Sequence, residues 1–174
     1  MSAEELIAEA RAAAAFAYAP YSNFRVGAVV VDADGNHYTG ANVENSAYGS
    51  TICAEGSAIA AAANAYAPYS RFRVGAVVVD EDGRHHVGAN VENSAFGSTI
   101  CAEGAAISRA VFQGARRLNT VAVSCLDSDA AVYPCGNCRQ LMVEFGVRRV
   151  LVDAPDGIRE HSLDELIPFG FRLP

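Results

Sequence analysis

Pro134-Cys135-Gly136-Asn137-Cys138 places two thiols three residues apart immediately behind a proline. Proline is favoured as the first residue of a helix, and the run continues through Gln140, Leu141, Met142 and Phe145 to a stop at Gly146. Cys135 and Cys138 therefore lie one turn apart at a helix start, where the dipole favours the thiolates that a metal requires. By itself a Cys-x-x-Cys is equally a redox pair or half of a structural zinc knuckle. Upstream, Cys101-Ala102-Glu103 adds a third thiol with a carboxylate two residues on. Three thiols leave the fourth tetrahedral position of zinc open, the pattern of a catalytic site. A carboxylate beside such a ligand suits a hydrolytic centre, which needs a proton acceptor for its water. Cys53-Ala54-Glu55 repeats this half of the site. The first ligand is thus Cys101 or Cys53, and the acid/base is Glu103 or Glu55.

The duplication extends well beyond those three residues. Residues 66–110 repeat residues 18–62 at an offset of 48, with 36 of 45 positions identical. The differences are mostly polar or small exchanges such as Asn23/Arg71, Ala33/Glu81 and Asn36/Arg84, while Tyr48/Phe96 is a mild one. Two copies are too few for a solenoid, which needs at least three to build a continuous core. The expected organisation is one domain over residues 1–174, with a tandem segmental duplication (18–62 and 66–110) and a unique C-terminal half (111–174).

The chain, taken in order, alternates helices and strands. Residues 3 to about 17 carry apolar positions at helical spacing behind Ser2, a good N-cap. Pro20 ends that segment, since the residue before proline is pushed out of the helical region. Phe24 to Val31 reads as a buried strand, Asp34-Gly35 as a turn, His37 to Val43 as the returning strand, and Thr51 to Ala62 as a helix. After the second copy come a strand over Val121 to Leu126, the helix behind Pro134, and a strand over Val147 to Val152. Asp156-Gly157 breaks that strand, and a short helix over Leu163 to Ile167 ends at Pro168. The pattern predicts an α/β domain with a mixed sheet flanked by helices and a duplicated helix-hairpin-helix segment.

The totals limit the function. A chain of 174 residues with net charge −7 and pI near 5.0 is a poor partner for nucleic acid, where basic contacts to phosphate supply most of the affinity. The N-terminus, with Glu4, Glu5, Glu9 and Arg11, reads as neither a signal peptide nor a membrane span. Five cysteines, an odd number, favour metal binding in the reducing cytoplasm over a disulfide framework. Cys125 reads as a small buried hydrophobe. His37, His85, His86 and His161 lack metal-ligand spacing, and Arg116-Arg117 and Arg148-Arg149 read as solvated charges.

Tyr-Ala-Pro-Tyr-Ser, Phe-x-Val-Gly-Ala, Asn-x-Glu-Asn, Cys-Ala-Glu and Pro-Cys-Gly-x-Cys-Arg-Gln follow one another here, the first four twice. In that order they resemble the small cytidine deaminases along essentially the whole chain, once one copy is set aside. The resemblance implies a three-layer cytidine-deaminase-like fold and one zinc ion per subunit, held by Cys101 (or Cys53), Cys135 and Cys138. It implies hydrolytic deamination of cytidine or deoxycytidine in pyrimidine salvage, with Glu103 (or Glu55) moving the protons. Cysteine as the first ligand is similar to the nucleoside branch of the deaminases. Phe72 (or Phe24) would pack by the base, Asn90 and Glu92 (or Asn42 and Glu44) would bind the ribose hydroxyls, and Ala102 (or Ala54) would contact substrate. Read without the resemblance, Asn90 and Glu92 are an edge-strand pair facing water.

The resemblance also gives Phe171 a role as the aromatic lent to a neighbouring subunit, although alone it reads as a core or tail residue. Three thiolates on one divalent ion leave a formal charge of −1, which Arg139 and the helix N-termini can offset. Many relatives have arginine after Cys-Ala-Glu, where Gly56 and Gly104 stand in this chain. The partners implied are a nucleoside and, in a homo-oligomer (tetramer or dimer), further copies of the chain, with no nucleic acid and no membrane. A related aminopyrimidine-nucleoside deaminase, such as one acting on a nucleoside antibiotic, would use the same core. A zinc-stabilised but inactive scaffold is the alternative of another class.

Continuity favours the second copy as the working one, because Cys101 and Glu103 run directly into the C-terminal half. The segment Ile52 to Ala65 would then stand in for the opening helix. Using the first copy would leave an apolar hairpin without a place. Exchange of the spare hairpin between chains is a third arrangement.

Overall fold

In the computed structural model, which describes residues 2–62 and 64–173, the two copies build the same hairpin twice and place it in two different sheets. Helix α1 (Ala3–Ala13) opens on Ser2, whose side chain accepts from the Glu5 N–H while the Glu5 carboxylate accepts from the Ser2 N–H. The helix is shorter than its spacing suggests, because residues 14–16 tighten into a 3-10 turn. Tyr18 is then drawn into a bridge with Val43, its N–H donating to the Asn42 carbonyl.

Strand β1 (Gly27–Val31) pairs antiparallel with β2 (His37–Ala41), in a register running from Gly27↔Ala41 to Val31↔His37. The strand starts later than the apolar run from Phe24 predicts. Asn23 has a positive φ, and the Asn42 amide holds the Phe24 carbonyl and the Val26 N–H in place of a ladder. Helix α2 (Ala54–Ala62) also starts late, behind a 3-10 turn at residues 48–50 and the Val43–Ile52 bridge.

The second copy repeats this local structure at the same offset. Strand β3 (Val74–Asp80) pairs with β4 (His85–Ala89) from Gly75↔Ala89 to Val79↔His85, and α3 (Ala102–Phe112) follows. Here β3 uses its other edge as well, pairing antiparallel with β5 (Leu118–Cys125). Helix α4 (Gly136–Glu144) leads to β6 (Arg149–Ala154), which lies parallel to β5, and β7 (Gly157–Ser162) closes the edge. The order is β4-β3-β5-β6-β7, a five-stranded mixed sheet flanked by helices. Strand β7 was not legible as one: Gly157-Ile158-Arg159-Glu160-His161-Ser162 has no apolar alternation, and an edge position with an Arg149–Glu160 ion pair accommodates it. A four-residue helix, α5 (Leu163–Leu166), follows under a Ser162/Glu165 capping box.

Close approach of helix to hairpin depends on glycine. A Cβ on Gly88 would lie 2.3 Å from the Ala106 N of α3, and one on Gly40 would lie 2.3 Å from the Ala58 N of α2. The core forms where α3 and α4 cover one face of the large sheet, with Ile107, Val111, Val121, Leu141, Met142, Val150 and Val152 fully buried. The expectation that residues Ile52 to Ala65 replace the opening helix is overturned for the described part. Helix α2 packs on its own hairpin and against α3, leaving the large sheet's opposite face without it. Its alanines fit against Gly40, which is why it stays. The first hairpin has its own cover, since α1 and α2 lie on its two faces.

Candidate metal centre

Helices α3 and α4 begin side by side, and each opens on a cysteine at its N-cap, Cys101 and Cys135. Cys138 follows one turn into α4 and is buried. The three sulfurs lie within 4.8 Å of one another, with Cys101 Sγ and Cys135 Sγ 3.8 Å apart. Zinc–sulfur bonds of about 2.3 Å at tetrahedral angles require sulfurs about 3.8 Å apart, which the Cys101–Cys135 pair meets and the set as a whole approaches. Among the described residues this is the one group of three Cys, His, Asp or Glu side chains close enough to hold an ion. Cys53 is outside it. That residue is exposed, and among the described residues its sulfur accepts only from the Gly56 N–H.

The electrostatics follow from three thiols sharing one site. Hydrogen bonds from Cys101 and Cys138 hold the Cys135 thiol down, to about 2, despite its partial burial. The same contact with Cys135 pushes Cys101 up to about 12, and bonding to Cys101 and Cys135 pushes Cys138 up as well. A divalent cation bound by the three sulfurs would displace their remaining protons, since metal binding requires the thiolates.

Glu103 stands in the first turn of α3, only 4% exposed. Burial pushes its carboxyl above the usual range, and the charge on Cys135 adds to this. Glu55, its counterpart, is exposed on α2. Ala102 and Ala54 are both fully buried beneath their helices.

The other site residues fall into two groups. Arg139 donates to the Pro134 carbonyl just before Cys135 and to the Leu166 carbonyl, so it ties the C-terminal segment to the metal loop. Phe171 is half exposed, while its backbone is gripped by the Gln140 side chain through its N–H and its carbonyl. Asn90 is buried, accepting from the Val74 N–H and donating to the Phe72 carbonyl. Glu92 accepts from the N–H groups of Tyr69 and Ser70 and from the Ser70 hydroxyl. Asn42 and Glu44 make the same bonds at Val26, Phe24, Tyr21 and Ser22 in the first copy. In both copies the Asn-x-Glu pair shapes the turn that presents the phenylalanine, and Phe72 and Phe24 are exposed at its tip.

The first copy touches the metal helix in a way the sequence did not signal. The Ser50 hydroxyl donates to the Asn137 side chain between the two Cys ligands of α4, Asn45 and Gln140 exchange bonds, and Glu144 accepts from Tyr18, Tyr21 and the Ser46 N–H. The two copies also meet directly. Ile52 lies against Gly104 and Ile100 against Gly56.

Comparison with known proteins bears on the same residues. The model of the cytidine and deoxycytidylate deaminase zinc-binding region matches the chain twice, over residues 1–67 and 57–154. The chain belongs to this family. A cytidine deaminase of Sporosarcina psychrophila is 40% identical, covering 98% of this chain and 92% of its own. One from Mycobacterium tuberculosis is 44% identical over 92% of this chain and 83% of its own. The crystal structure of cytidine deaminase from Burkholderia pseudomallei superposes with a TM-score of 0.57 at 38% identity. It is matched over 87% of its length but over only 62% of this chain, so part of this chain lies outside the shared fold.

Proposed function

We propose that the chain catalyses hydrolytic deamination of cytidine and 2′-deoxycytidine to the corresponding uridine and ammonia. The observation that carries this reading is the meeting of Cys101, Cys135 and Cys138 at the start of α3 and α4, with the buried Glu103 two residues from the first of them. Zinc held by these sulfurs supplies a Lewis acid that brings a water's pKa towards neutrality. Glu103 takes a proton from the attacking water, delivers one to N3 of the base, and assists departure of ammonia from C4. Its raised pKa suits that task, since a proton carrier works best when its pKa is near the working pH. Phe72 packs by the base, Asn90 and Glu92 hold the turn against which the ribose rests, and Ala102, fully buried, backs the site without meeting the base. Arg139 steadies the metal loop by donating to the carbonyl ahead of Cys135, and its charge offsets that of the three thiolates.

The second copy is the working one in this reading, within a single domain bearing a tandem duplication. Three free thiols in one cluster suit the reducing cytoplasm. The half-exposed Phe171 and the exposed Phe96 suit a homo-oligomer, a tetramer or a dimer.

Loss of ultraviolet absorbance from cytidine tests the proposal on the intact chain, Glu103→Gln and Glu55→Gln. Glu103→Gln is expected to reduce turnover by about 10³-fold with zinc still bound, and Glu55→Gln to leave it within about twofold. Equal loss in both, or loss in Glu55→Gln alone, rejects the second copy as the site. A zinc-loaded intact chain that turns over no aminopyrimidine nucleoside rejects the activity itself.

A further inference from the structure

The two hairpins present the same face to different surroundings. In the first, Gly27, Val29 and Val31 of β1 share a face with Ala41, Thr39 and His37 of β2. Helix α1 lies on that face so closely that a Cβ on Gly27 would sit 2.0 Å from the Ala10 carbonyl oxygen. The His37 ring also pairs with Glu9 of α1 at 2.8 Å. In the second, Gly75, Val77 and Val79 share a face with Ala89, Val87 and His85. Nothing lies within 4 Å of a Cβ built on Gly75. This bare face continues across Ala122, Leu151 and Ile158 as a depression of about 590 Å³. Val87 and Ile158 are strongly exposed there, and His85 is exposed with no hydrogen-bond partner among the described residues.

We infer that this face is a seat for helix α1 of a second copy of the chain, so that two chains associate by exchanging their N-terminal helices. Both features that receive α1 on the first hairpin recur on the second. Gly75 gives the room for close backbone approach, and His85 stands ready for Glu9 at the position of His37. The new seat is the larger and more apolar of the two. Val87 replaces Thr39, and β5 to β7 extend the floor beyond the two strands that α1 now covers. The hinge is the segment 14–17, since Tyr18 is pinned to Asn42 and Glu44 by backbone bonds and stays with the first hairpin. Four residues span at most about 14 Å, so the exchange draws the two chains into close contact. The exchange uncovers the Gly27 face of the first hairpin, so it is driven by the extra apolar area that the broader seat buries.

Light scattering across a concentration series tests this on the intact, zinc-loaded chain and on Gly75→Leu and His85→Ala. A Cβ at position 75 meets nothing within 4 Å and leucine extends from it into the open depression, so its circular dichroism and zinc content should match the parent. A synthetic peptide of residues 2–17 serves as a direct probe of the seat. The expected results are a concentration-dependent dimer, its loss in Gly75→Leu, a severalfold weaker dimer in His85→Ala, and saturable binding of the peptide to the parent but not to Gly75→Leu. Overturning results are a monomer at every concentration with no peptide binding, or a dimer that Gly75→Leu leaves intact. Both readouts are independent of turnover, so an inactive chain that dimerises this way would leave the inference standing while rejecting the proposed activity.

Discussion

Asp32 and Asp80 occupy the same position in the two hairpin turns, yet they do different things. Asp32 caps its own turn at the surface, accepting from the Asp34 and Asn36 N–H groups, the Asn36 amide and the Tyr38 hydroxyl. Asp80 and His86 are each 1% exposed in their side chains and 2.9 Å apart, with Arg84 also donating to Asp80 and the other ring nitrogen of His86 meeting Gln113 at the end of α3. Burial pushes the Asp80 carboxyl up, but hydrogen bonds from His86 and Arg84 outweigh it and hold the group at about 2. Because the folded pKa is depressed, its stabilisation is complete above the unfolded value near 4 and is lost as pH falls towards 2. Asp80→Asn removes the buried carboxylate that His86 and Arg84 both meet, leaving Arg84 only the exposed Asp82, and should cost roughly 3 kcal/mol. At about 2–4 °C per kcal/mol for a chain of this size, that is a fall in Tm of roughly 6–12 °C by calorimetry at pH 7. Asp32→Asn should lower Tm by much less. The Asp-x-Asp-Gly turns were legible, but the role of His86 was not. It lacks metal-ligand spacing, and only the register, which sets it on the inner face beside Gly88, shows why it is buried.

At the scale of elements, the contrast among glycines is the informative one. Gly88 meets the backbone of α3, Gly40 meets α2, and Gly75 meets nothing. Gly88→Val forces α3 away from β4 in the middle of the core. It should cost about 3 kcal/mol and loosen Cys101, so zinc affinity falls with stability. Gly40→Val makes the same clash against α2, in a unit that holds no ligand sulfur. Hydrogen exchange is expected to show β1, β2 and α2 opening in Gly40→Val while zinc remains bound, and the reverse pattern would contradict the assignment of the site to the second copy. Helix and strand types were readable from periodicity throughout both hairpins, because apolar alternation and the Asp-Gly turns agree. The limits were not. Ends shifted by about three residues wherever side chains such as Asn42 or a 3-10 turn replaced ladder bonds. Strand β7 went unread because an edge strand with both faces polar carries no alternation.

Across the whole molecule, the large sheet beneath the three cysteines has one face bare, while α1 lies on the two-stranded sheet of the first hairpin. The sequence announced the ligand set through Pro-Cys-x-x-Cys, and the duplication left Cys53 and Cys101 as rivals. No local pattern could choose between them, since the choice depends on which copy the C-terminal half can reach. The geometry makes this testable by subtraction. Deleting residues 18–65 joins Ala17 to Tyr66 and restores α1 to the same spacing before β3 that it has before β1, because Tyr66-Ala67-Pro68 repeats Tyr18-Ala19-Pro20. Helix α1 can then settle on Gly75 and pair with His85 within one chain. Cys101, Cys135, Cys138 and Glu103 are all retained, so the shortened chain should fold and bind one zinc ion per chain, measured by atomic absorption. It also loses the first-copy residues that satisfy Asn137, Gln140 and Glu144 of α4. Asn93, Ser94 and Ser98, which repeat Asn45, Ser46 and Ser50, are exposed and can satisfy α4 only from another chain. The shortened chain should therefore self-associate through α4, and Asn137→Ala with Glu144→Ala should weaken that association severalfold in light scattering. A shortened chain that stays monomeric with zinc bound would mean that α4 tolerates the loss of those bonds. One that binds no zinc would place the working ligand in the first copy.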